Sequence, residues 1–61
     1  MKRFTFTKTF TGGLLEGIST ACAISFPSEK EAWRWFDAVN EKWAKGETNF
    51  YLEDLDWKED F

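Results

Sequence analysis

Histidine is absent from this 61-residue chain, and cysteine and proline occur once each. No segment approaches the roughly 18 consecutive apolar residues of a membrane span. Without histidine the usual general base near neutral pH is missing, and a serine nucleophile has no partner; no G-x-S-x-G string occurs either. The lone Cys22 excludes an intramolecular disulfide and fits a reducing compartment. It falls on the inward side of a strand with no cation placed beside it, and reads as a small buried hydrophobe. Lys2 and Arg3 precede alternating Thr and Phe, not the unbroken apolar stretch of a signal peptide, so a cytoplasmic location is expected.

Other chemistry is short of parts as well. Gly12-Gly13-x-x-x-Gly17 lacks the Lys-Ser/Thr of a phosphate-binding loop and should link antiparallel strands. The carboxylates of LEDLDWKED miss the calcium-loop spacing, and no glycine supplies its turn. Glu53 and Asp54 have no cleft to hold a sugar between them in so short a chain. The expectation is a non-enzyme with no cofactor and no metal.

What the chain has is aromatic side chains: seven Phe, four Trp and one Tyr. One domain of this length buries only about 60% of its unfolded surface, so most of these rings are expected inside. Net charge is −3, unevenly spread. Residues 1–46 carry seven basic and five acidic side chains, whereas residues 47–61 set six carboxylates against Lys58. That acidic end disfavours direct nucleic-acid binding.

Residues 2–11, KRFTFTKTFT, alternate with period two and predict a strand with Phe4, Phe6 and Phe10 on one face. Lys8 interrupts that face and should snorkel to an edge. Residues 18–26 predict a second strand with Ile18, Thr20, Cys22, Ile24 and Phe26 on one side. A two-residue turn at Gly12-Gly13 would set Phe4 and Phe6 on the face of Ala21 and Ser19. Pairing Phe10 with Ile18 puts the apolar sides together, and a loop over 11–17 follows. From Ser28 to Lys45 a helix is predicted, with Ser28 and Glu31 as a capping box and Gly46 just beyond its end. Its apolar stripe is Ala32, Phe36, Val39 and Trp43, flanked by Trp35; Trp33 lies off the stripe. A third strand over 48–53 turns Phe50 and Leu52 inward. A change of phase at Asp54 then turns Leu55 and Trp57 the other way, and an acidic segment, 54–61, ends in a frayed KEDF.

These elements give an α+β domain, ββαβ, with strand order 2-1-3 and the helix on one face of the sheet. Phe4, Phe6, Ile24, Phe36 and Trp43 should gather in one cluster that consumes nearly all the apolar surface. The candidate partner-binding residues are those in excess of that core: Leu14 and Leu15 in the glycine-bracketed loop, the off-stripe Trp33, and Asp54, Asp56 and Trp57 in the acidic segment. Strand 18–26 is an uncharged edge, which invites a homodimer. Small, acidic, aromatic-rich chains of this kind resemble the accessory proteins with which bacteriophages and mobile elements block host defence enzymes. That resemblance is one of style, and implies a cytoplasmic protein that binds another protein as an inhibitor. The alternatives are a nucleotide-type ligand sponge, with a pocket at a dimer interface lined by Trp33, Trp35 or Trp57, and an acidic nucleic-acid mimic.

Overall fold

The alternating Thr and Phe of the N-terminal segment form the centre of the sheet. In the computed structural model, which describes residues 1–59 and side chains through residue 57, five elements follow one another. They are β1 (Lys2–Phe10), a 3-10 turn (Gly13–Leu15), β2 (Ser19–Phe26), α1 (Glu29–Ala44) and β3 (Phe50–Glu59). The sheet order is β2-β1-β3, with β1 antiparallel to both neighbours, and the architecture is α+β. No helix among the described residues is long and apolar enough to cross a membrane.

The β1–β2 register is the one that parity demands. Phe4 pairs with Ile24 and Phe6 with Cys22. The Phe10 N–H donates to Ile18 O at 3.0 Å, which closes the ladder at the expected pair. Slipping by one residue would carry the phenylalanines to the threonine face.

The helix ends are set by their caps. Ser28 Oγ accepts from the Glu31 N–H at 3.3 Å. At the other end Gly46 adopts φ +79°, which a side chain resists. This turn lets the Gly46 N–H donate to Trp43 O and the Glu47 N–H to Lys42 O, satisfying carbonyls that the last turn leaves free.

β3 departs from regular pairing once. Its register to β1 shifts between Thr5 and Thr7, and Asp54 sits there at φ +58°. The bulge lies where the change of phase was expected, but its effect is to bring Leu55 and Trp57 back to the inner face. Trp57 pairs with Phe4, and their rings lie 6.2 Å apart. The acidic segment from Asp54 to Glu59 is therefore a continuation of β3, not a tail. Asp60 and Phe61 of the expected frayed end lie outside the described residues.

The core is narrower than the pattern of apolar residues suggests. Phe4, Phe6, Ala32 and Leu52 are buried, and Trp35 lies between Phe6 and Phe26 at 5.3 and 5.5 Å. Ile24 and Trp43, expected inside the same cluster, are exposed. Cys22 is half-buried rather than buried.

The cause is the position of the helix, which packs mainly against β3. Asn40 fastens it there. Its Oδ1 accepts from the Leu52 N–H at 2.7 Å, and its Nδ2 donates to Leu52 O at 3.0 Å. Held at that edge, the last helical turn rides beside the sheet. Trp43 there packs on Tyr51 at 5.0 Å and donates its indole N–H to Thr11 Oγ1 at 3.0 Å. Phe26 at the end of β2 is packed by Trp35, but Ile24 stays exposed and Cys22 only half-buried as a result.

Candidate functional site

The most prominent apolar feature is the tip of the β1–β2 connection. Gly17 takes φ +85°, which allows its N–H to turn back and donate to Phe10 O at 2.9 Å. The Ile18 N–H donates to Leu15 O at 2.9 Å and the Glu16 N–H to Gly13 O at 3.3 Å, closing a single 3-10 turn. From across the sheet the Asn49 side chain donates to Gly12 O at 3.1 Å, and Asn49 O accepts from the Thr11 N–H. The loop is thus tied at both feet. Leu14 projects from it with 104% relative exposure, and Leu15 is also exposed. Neither folds over the core.

The remaining expected binding residues are not gathered there. Trp33 is 42% exposed near the start of α1, its ring edge-on to Phe36 at 5.4 Å. At about 1.5 Å of rise per residue, the ten positions from Trp33 to Trp43 span about 15 Å. Trp33 and the Leu14–Leu15 tip therefore mark opposite ends of the domain. Asp54 and Asp56 are exposed, and Asp56 pairs with Thr5 on the sheet face away from the helix. Trp57 is half-buried on the other face, with the Lys2 ammonium 4.3 Å from its ring centre. It packs against Phe4 and keeps only part of its surface free.

A second feature went unread in the sequence. Where the helix leaves β2 uncovered, a groove of about 370 Å³ opens between Cys22, Ile24, Trp35, Val39 and Phe50. Lys8 lies in it. Its ammonium does not escape to an edge but sits 4.2 Å from the centre of the Phe50 ring and 5.1 Å from that of Phe10. Among the described residues the one salt bridge is Lys45–Glu41, and no described carboxylate partners Lys8. The signal was present as a lysine at an inward strand position, and cation–π attraction is what holds it there.

The opposite face of the sheet carries small and polar side chains. Thr5, Ala21 and Ala23 are exposed on it, and Thr9 Oγ1 lies 2.9 Å from Ser19 Oγ and 3.4 Å from Glu53 Oε1. Among the described residues no group of three or more His, Cys, Asp or Glu side chains is placed to hold a metal ion. Compared with protein-family models, with curated proteins and with solved structures, the chain finds no match.

Proposed function

We propose that this chain is a non-catalytic protein-binding module that seats the Leu14–Leu15 tip in an apolar pocket of a target protein. The observation that carries this is the full exposure of Leu14 on a loop whose backbone is already tied down. A free leucine in water is worth about 1.5–3 kcal/mol when buried in a partner, and a pre-ordered loop loses little conformational freedom on docking. Exposed Glu53, Asp54 and Asp56 add a negative surface that steers the chain toward a basic target. Inhibition of a host defence enzyme is the form of this activity that the resemblance in size, charge and aromatic content implies.

Affinity capture from the native host identifies the target, and titration of that purified protein tests the site. Leu14→Ser with Leu15→Ser should weaken binding by about 100-fold or more, as expected for two lost anchors at about 1.5 kcal/mol each. Undiminished binding by the double variant overturns the proposal. If binding instead collapses with salt and with Asp54→Asn plus Asp56→Asn, the acidic face is the recognition element and the chain acts as a nucleic-acid mimic.

The groove beside Lys8 favours a second reading, a sponge for a small anionic ligand with a planar ring. A lysine with no carboxylate partner among the described residues at one side, and Trp35 and Phe50 at the others, suit such a molecule. Quenching of tryptophan emission by a nucleotide in wild type, lost in Lys8→Met, would support it.

A further inference from the structure

We propose that β2 is the seam of a two-fold symmetric homodimer, in which two copies pair antiparallel, edge to edge, about Cys22. The two edges of the sheet are treated differently by the fold. Along β3, Asn40 occupies the outward N–H and C=O of Leu52, Thr48 Oγ1 donates to Phe50 O at 3.0 Å, and the bulge at Asp54 breaks the line. Glu53, Asp54 and Asp56 add charge. These are the devices that keep an edge from pairing. β2 has none of them, and no charge lies between Ile18 and Phe26.

The geometry of that open edge is self-complementary. In an antiparallel ladder alternate residues turn their N–H and C=O to the same neighbour. Because Ile18 O accepts from Phe10, the even-numbered residues of β2 face β1. Ser19, Ala21, Ala23 and Ser25 therefore direct their polar backbone groups outward. Pairing about Cys22 sets Ala21 against Ala23 of the second copy and Ser19 against its Ser25, which engages all four. Inner faces then meet inner faces. Ile18 comes beside Phe26 and Ile24 beside Thr20 of the second copy, covering residues that each copy alone leaves exposed.

One further observation favours a second copy over another occupant. The helix is displaced toward β3, so two helices on the same side of a six-stranded sheet do not collide above the seam. The seam requires no target protein, so its test is independent of the Leu14–Leu15 proposal.

Sedimentation equilibrium of the purified chain should give twice the 7.2 kDa chain mass at high micromolar concentration. Ala21→Lys with Ala23→Lys, at exposed positions opposite Thr7 and Thr5, should retain the fold by near-ultraviolet circular dichroism and weaken dimerisation more than tenfold. In wild type, a copper–phenanthroline oxidant should link Cys22 to Cys22. A directly opposed non-hydrogen-bonded pair has Cα atoms about 4.5 Å apart, within disulfide range. A strict monomer overturns the proposal. So does a dimer that survives the lysine pair, or one that yields no covalent species on oxidation.

Discussion

Asn40 binds Leu52 through both ends of its carboxamide, accepting from the N–H at 2.7 Å and donating to the C=O at 3.0 Å. A single side chain thereby takes the place of a neighbouring strand and fixes which part of the sheet the helix covers. Leu52 is buried, so its polar backbone groups have no ready substitute in water. Asn40→Ala should cost about 2 kcal/mol, read as a lowered urea midpoint at constant slope. Asn40→Asp keeps the acceptor alone and should fall between the two. An unchanged midpoint in Asn40→Ala would show that the helix is held by its apolar face only.

Asp54 makes a different kind of demand. Its φ of +58° suits Asn, Asp or Gly and is hostile to a branched side chain. Asp54→Asn should leave thermal stability within about 0.5 kcal/mol, so that it tests charge alone. Asp54→Val should lose about 1–2 kcal/mol by the same measurement. Equal stability of the two variants would mean that the bulge relocates.

Leu14 and Phe6 separate display from support. Leu14→Ser removes a fully exposed side chain and should leave the melting transition unmoved. Phe6→Ala empties the site where Trp35 packs and should cost about 3–5 kcal/mol, enough to abolish cooperative unfolding in so small a domain. Calorimetry of the two variants side by side checks both.

Gly46→Ala should destabilise the chain by about 1 kcal/mol, since the φ of +79° must be kept for the Gly46 and Glu47 amides to reach Trp43 and Lys42. Chemical denaturation with circular dichroism at 222 nm measures it. No loss would indicate that the helix ends differently in solution.

Most of the fold was legible because local and long-range signals agreed. The Thr–Phe alternation and the Ile–Cys–Ile series admit one register that keeps both apolar faces together, and the pairs from Lys2–Phe26 to Thr9–Ser19 follow it. Ser28 and Gly46 mark the helix ends chemically. What periodicity does not encode is where a helix sits laterally on a sheet. That depended on Asn40, a polar residue at the flank of the stripe, whose partner is a backbone edge and leaves no pattern in the sequence. From that one displacement come the exposed Trp43, the bare Ile24 and the groove containing Lys8. Parity did reveal the break at Asp54. Which way Trp57 would then face required knowing that Phe4 lies opposite. Of the candidate binding residues, Leu14 and Leu15 stood out because apolar residues between glycines have no strand or helix to bury them. Trp33, Asp54 and Asp56 are exposed, Trp33 near the start of α1 and the two aspartates together on β3.

The strand order has a consequence for how the molecule forms. β1 lies in the middle, yet one of its two neighbours, β3, is some forty positions further along. A hairpin of β1 and β2 alone has little to hold it together. The sheet is therefore finished only when the chain closes on itself from Phe4 to Trp57, and contacts so distant in sequence slow folding. During that delay the uncharged strand is unprotected, so crowded expression should favour clumping unless another copy reaches it first.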